Sequence, residues 1–240
     1  MYPWRQRFSK KGLIQKFLAG LCPSLPLFLL LAGLCLFLTG AAGAVTVEEI
    51  IARAQEQYEK TSDIKADFIQ EATIKSINKT DREEGVFYFK NPRRMVWDYL
   101  KPRAKKLVIN PQTAWLYVPE DRMVYVYDGA SFFRSRASIR FLSGLGKLKE
   151  DFQISLAGPA AQDKEGNFLL KLVPKERDFG VGEFFLTLDK EQFHITRLSF
   201  TDTFGNATRL FFRNIKINNR LPEKMFTFNP PPGVEVFKNP

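Results

Sequence analysis

The sequence predicts a mainly β (α+β) protein: one incomplete antiparallel barrel of about eleven strands, with a few short helices covering its apolar inside. Three observations carry this. Five strand-length runs fall between Glu84 and Asp128 with no helix-length gap between them, the mark of an antiparallel meander. A second series of alternating runs occupies the C-terminal half. Aromatic residues are unusually dense on these runs, while side chains suited to catalysis are almost missing. A sheet this long must curl, and helices can then cover its concave face.

The elements follow in order. Arg5, Arg7, Lys10, Lys11 and Lys16 form a basic start with no acidic residue, followed by an apolar stretch from Phe17 to Leu38 and then Ala42-Gly43-Ala44. This is the pattern of a secretory signal peptide over residues 1–44, cleaved near Ala44, leaving a β-domain over 45–240. The stretch is long enough to span a bilayer, but Pro23 and Pro26 interrupt it. Cys22 and Cys35 each close a Leu-Ala-Gly-Leu-Cys run, which puts a bulky leucine where a lipidation signal needs a small residue. Both cysteines lie in the leader, so the mature chain is expected to have no disulfide and no reactive thiol. The leader's five basic residues come off the formal +10, leaving about +5 spread among the strands. No basic run is present to favour nucleic acid.

Thr46-Val47-Glu48-Glu49 reads as a capping box, and Ile50, Ile51, Ala54 and Tyr58 recur at helical spacing to about Lys60. Residues 63–78 read as a long strand. The meander then runs through Gly85–Phe89, Arg94–Leu100, Lys106–Asn110, Ala114–Pro119 and Met123–Tyr127. A short amphipathic helix is expected over Ser138–Lys147, weakened by Gly144 and Gly146. Strands are expected over Phe152–Leu156, Phe168–Val173, Glu183–Leu188, Ile195–Thr201 and Thr208–Ile217. Phe226-Thr227-Phe228 reads as a last short strand entering a proline-stiffened loop.

Catalytic chemistry has little support. His194 is the sole histidine, and at a strand start such a residue is more often packed than a base. No nucleophile elbow, phosphate loop or His/Cys metal spacing occurs, so no enzymatic activity, cofactor or metal is expected. Glu48-Glu49 belongs to the helix cap, and Glu83-Glu84 would point to opposite faces of a strand. The positive signal is apolar. Val86 and Tyr88 alternate with Phe87 and Phe89, while Phe184-Phe185 and Phe211-Phe212 are adjacent pairs. Two apolar faces of a single sheet need two apolar partners, and helices supply one. A ligand, a membrane or another protein supplies the second.

Several pieces in a fixed order resemble the LolA family of periplasmic lipoprotein carriers. They are Phe68-Ile69-Gln70, Gly85 leading through Lys90-x-Pro92 to Trp97, and Pro102, then Trp115-Leu116-Tyr117-x-Pro119. The helix near Ile139–Leu145, Val173-Pro174-Lys175 and Phe226-Thr227-Phe228-x-Pro230-Pro231-x-Gly233-Val234 complete the set. The resemblance implies a monomeric carrier in the periplasm whose apolar cavity holds the acyl chains of lipoproteins. It also implies an inner-membrane ABC transporter as donor and an outer-membrane receptor lipoprotein as acceptor. With alternation, it makes Phe87, Phe89, Met95, Trp97, Tyr99, Trp115 and Tyr117 candidates for the cavity wall, and Ile139, Leu142 and Leu145 for the lid. Many members hold the lid with an arginine just before the proline. Here that position is Asn91, shorter and uncharged, so the latch is expected either to be rebuilt by Arg93 or Arg94 or to be weaker. A lipid- or lipoprotein-sensing module on the same fold is the alternative function, and a periplasmic hydrolase a remote one.

Overall fold

A computed structural model describes residues 45–135, 137–143, 148–158, 162–176 and 180–238. The expected leader and Leu145 lie outside these residues. Helix α1 (Val47–Glu59) starts where the capping box predicts. The Thr46 hydroxyl accepts the Glu49 N–H at 3.2 Å, and the Glu49 carboxylate accepts the Thr46 N–H at 3.0 Å. Ile50, Ile51 and Ala54 are buried along one face.

One twelve-stranded sheet makes up the rest of the frame. Its first half is β1 (Asp63–Ile74), β2 (Lys79–Lys90), β3 (Arg94–Lys101), β4 (Lys105–Ile109), β5 (Thr113–Val118) and β6 (Met123–Asp128). Helices α2 (Gly129–Ser135), α3 (Ala137–Ser143) and α4 (Leu148–Asp151) intervene. Then come β7 (Phe152–Leu156), β8 (Phe168–Pro174), β9 (Val181–Leu188), β10 (Ile195–Asp202), β11 (Ala207–Ile217) and β12 (Glu235–Lys238). The spatial order is β12-β6-β5-β4-β3-β2-β1-β11-β10-β9-β8-β7, so β1 joins the two meanders by pairing with β2 and β11. Among the described residues, all strand pairings are antiparallel except β12 on β6. The barrel is open, because β7 and β12 end the sheet and do not pair with each other.

Strand β6 lies next to one edge and β7 forms the other, so the chain must cross from edge to edge between them. That crossing is α2–α4, and its residues Phe132, Phe133, Ile139, Phe141, Leu142 and Leu148 enter the main core. Helix α1 adds Ile50, Ile51 and Ala54 and touches α4 and β7. A separate small core lies on the outer face, where Val96, Val108, Leu221 and Phe226 are buried with Tyr88, Trp115, Met225 and Phe228 against them.

Three boundaries differ from the sequence reading. Strand β1 ends at Ile74 in a 3-10 turn, and β2 begins at Lys79, since the polar stretch Lys79–Glu84 pairs with β1 without any apolar signal. Phe226 closes a 3-10 turn (Glu223–Phe226) and is not in a strand. The last strand comes later, at Glu235–Lys238, after the prolines that deny this segment ladder hydrogen bonds. Helix α2 was not anticipated. Asp128 starts it by accepting the Ser131 N–H at 2.8 Å.

A cavity between the sheet and its helices

Register determines which side chains line the concave face. Phe89 faces Met95, Met95 faces Ile109, and Ile109 faces Ala114. One step along, Phe87, Trp97, Leu107 and Leu116 form the next row. Phe68, Gly85 and Tyr99 form a third. Gly85 is required there: a Cβ would lie 2.1 Å from the Asp98 carbonyl oxygen and 2.9 Å from Phe68 Cε1. Without it, the Phe68 ring packs edge-on against Trp97 and Tyr99, with both centroids at 5.0 Å. Phe87 approaches Trp97 at 4.5 Å and Phe212 at 5.5 Å. Aromatic contacts of this kind add about 0.5–1.5 kcal/mol each beyond burial.

Two regions of the inner face hold empty space. Near α1 and α3 a void of about 20 Å³ is lined almost wholly by apolar atoms, from Tyr58, Phe87, Phe89, Leu142, Ile195 and Phe212 among others. The second is a partly open cavity of about 460 Å³, within the usual size of small-ligand sites. Trp97, Leu107, Leu116, Phe132, Ile139 and Phe200 line one part of it, and Gln70, Tyr99, Lys105, Asp202 and Thr208 another.

Of the residues singled out from the sequence, Phe87, Phe89, Met95, Trp97 and Tyr99 are buried on the inner face. Ile139 and Leu142 are buried residues of α3, one beside each space. Trp115 and Tyr117 are not on this face. Trp115 pairs with Val108 and packs in the outer core, and Tyr117 meets Phe228 at 5.3 Å. Alternation along β5 turns their smaller neighbours Ala114 and Leu116 inward instead. Phe68, Leu107, Phe132, Phe200 and Phe212 belong to the inner face and were not picked out. The pairing Ile109↔Ala114 across a short turn was the available signal for β5.

The latch is also rearranged. Asn91 Nδ2 donates to the Thr61 carbonyl at 2.6 Å, and the Asn91 N–H donates to the Ser62 carbonyl at 3.0 Å. The β2–β3 turn thus holds the segment just after α1, Thr61 and Ser62, through Asn91 itself. Arg94 does not substitute: its Nε lies 3.1 Å from Glu223 on the outer side. Arg93 is exposed in the turn, with φ of 51°.

The β9–β10 turn supports α1 too. Gln57 Nε2 is 3.2 Å from His194 Nε2, and the Tyr58 hydroxyl accepts the Ile195 N–H at 3.2 Å. Burial lowers the His194 pKa against the opposing pull of Asp189, and burial raises that of Tyr58. Asp63 is 1% exposed, yet its pKa is lowered. Burial alone would raise it, but N–H groups of Asn219, at 2.7 Å, and Leu221, at 3.1 Å, hold the carboxylate charged. Among the described residues, no group of three His, Cys, Asp or Glu side chains could hold a metal.

The family model for the outer membrane lipoprotein carrier protein LolA matches residues 59–229. An outer-membrane lipoprotein carrier protein from Methylococcus capsulatus is 30% identical over 176 residues, covering 73% of this chain and 81% of that relative. One from Dechloromonas aromatica is 28% identical over 228 residues, 95% of this chain and 98% of the relative. The crystal structure of an uncharacterized conserved protein from Thermus thermophilus aligns with a TM-score of 0.52 at 16% identity. It covers 80% of this chain and 98% of its own, and supports the fold alone.

Proposed function

The chain belongs to the LolA family of outer membrane lipoprotein carriers, and from that membership we propose that it carries lipoproteins through the periplasm. Its ligand is the acylated N terminus of a lipoprotein leaving the inner membrane, and its destination is the outer membrane. It acts as a monomer after loss of residues 1–44, with an inner-membrane ABC transporter as donor and an outer-membrane receptor lipoprotein as acceptor.

The cavity carries this reading. Phe87, Phe89, Met95, Trp97, Tyr99, Ile139 and Leu142 are the residues we assign to the acyl chains. Burying a methylene is worth about 0.8 kcal/mol, so one sixteen-carbon chain is held in a bilayer by roughly 12 kcal/mol. Only a comparably dry surface can move such a chain through water. In the closed form the apolar end is almost filled by α1 and α3. Cargo therefore enters by displacing helices from the sheet, and the packing they recover helps to expel it.

A release assay tests the proposal. Spheroplasts displaying radiolabelled lipoprotein are incubated with the purified mature protein, and lipoprotein in the supernatant is measured. A carrier produces a soluble complex of the two. If lipoprotein stays with the membranes although the added protein is folded, the reading fails; a lipid-sensing module on this fold would give that result.

A further inference from the structure

The inner face changes character in the same direction along β3, β1 and β11. Strand β1 runs from Ile64 and Ala66 to Gln70, β11 from Ile215 and Phe212 to Thr208, and β3 from Met95 through Trp97 to Tyr99. Ile64, Ala66, Phe212 and Ile215 border the small apolar void near α1, and Gln70, Tyr99 and Thr208 border the 460 Å³ cavity. At that wide end the polar groups are organised. Lys105 stands opposite Tyr99 in the β3–β4 register, with its Nζ 4.3 Å from the ring centroid. The same Nζ donates to Glu83 Oε1 at 2.6 Å, while the Tyr99 hydroxyl donates to Gln70 Oε1 at 3.3 Å. Gln70 Nε2 reaches Glu83 Oε2 at 3.4 Å and ties the two pairs together.

A side chain serving only as a surface ion pair would lie on the outside of the sheet. Lys105 lines the cavity itself, and its side chain is 30% exposed. An ammonium group has three N–H donors, and Glu83 occupies one. An acylated cysteine carries ester carbonyls where its chains join the polar head, acceptors that a dry wall cannot satisfy. We propose that Gln70, Tyr99 and Lys105 form a head subsite, with Lys105 donating to these ester carbonyls. The hydrocarbon tails point toward α1, and the peptide leaves through the wide end. This deepens the carrier reading and rests on it.

Two kinds of probe separate the subsite from the carrier function. One is a dipalmitoyl-glyceryl-cysteinyl lipopeptide; the other is its ether-linked analogue, which lacks the ester carbonyls. Lys105→Met keeps the stem of the side chain and removes the donor. We expect the ester probe to bind the variant about tenfold more weakly than the unmodified protein, as for loss of a charge-assisted hydrogen bond. The ether probe should bind both proteins alike. Equal changes for the two probes, or none for either, overturn the subsite while leaving the carrier reading intact. If the unmodified protein binds neither probe, both readings fall. A photoreactive group on the residue after the cysteine gives a second test: crosslinks to Tyr99 or Lys105 support the orientation, and crosslinks to Tyr58 or Ile195 overturn it. Free lipid has the same ester chemistry, so phosphatidylglycerol is titrated in parallel. Dependence on Lys105 there as well makes the subsite a reader of diacyl esters in general; dependence for the lipopeptide alone makes it a reader of the lipidated cysteine.

Discussion

Replacing Phe212 by alanine should lengthen the acyl chain that the protein prefers. Phe212 is 6% exposed, lies 5.5 Å from Phe87 and 6.3 Å from Trp97, and borders the dry 20 Å³ space near α1. Removing the ring leaves a hole of about 100 Å³, which at roughly 24 cal/mol per Å³ plus the lost transfer energy costs about 4 kcal/mol. The hole joins the existing space and makes a dry extension with room for roughly three or four methylenes. At about 0.8 kcal/mol each, a chain longer by that amount gains close to 3 kcal/mol, a factor on the order of one hundred. The assay is displacement of an environment-sensitive fluorophore by fatty acyl probes of increasing length. The unmodified protein should reach its affinity plateau first, and Phe212→Ala several carbons later. A variant that is less stable but plateaus at the same length would show that tails do not reach this end of the cavity.

Three further outcomes are expected. Asn91→Ala removes the 2.6 Å bond to Thr61, worth about 1 kcal/mol, so stopped-flow release of an acyl probe should quicken roughly fivefold. An unchanged rate would place the restraint on α1 elsewhere, in its packing or at His194 and Tyr58. The pKa of Asp63 is depressed by folding, so its stabilisation is present above the unfolded carboxylate value of about 3.9 and fades as pH falls through the lower folded value. Denaturant titrations should show Asp63→Asn less stable at neutral pH but losing less on acidification; the slope persists in part because Asp163 and Asp202 are depressed too. An identical acid slope would refute the role given to Asp63. Trp115→Ala should cost about 2 kcal/mol and expose residues 227–234 to protease, with acyl affinity unchanged, since Trp115 packs on the outer face. Weakened acyl binding by a folded variant would return Trp115 to the cavity wall.

The meanders were legible because alternation is a strictly local signal, and Phe87, Phe89, Met95, Trp97 and Tyr99 share a face through the simple pairing of β2 with β3. Trp115 and Tyr117 were placed on the wrong face because alternation along β5 says which residues share a face but not which face is inward. Once Ile109 is inward and faces Ala114, period two turns both rings of β5 outward. The polar start of β2 was invisible, as Lys79–Glu84 has no apolar residue to reveal its pairing with β1. Phe212 stood out only as one of an adjacent pair, with no face assigned, for a different reason. Its place beside Phe87 depends on pairing between strands far apart in sequence, which no local pattern encodes. The contacts of Asn91 were not legible, because the Thr61 carbonyl it bonds comes from the segment after α1, thirty residues earlier in the chain.

The place of β1 in the sheet bears on how the protein is made. One of its neighbours, β2, follows directly in the chain, but the other is β11, with Phe68 opposite Phe212. A ribosome delivers residues in order, about 5–20 each second. The first six strands can therefore assemble as a hairpin series while one side of β1 and the aromatic surface beneath it remain bare. Only when residues 207–217 arrive can the two halves join, a delay on the order of ten seconds after β6 is complete. Throughout that interval the nascent chain carries an unpaired strand edge and an uncovered aromatic surface, the features that make incomplete folds prone to aggregate and dependent on chaperones.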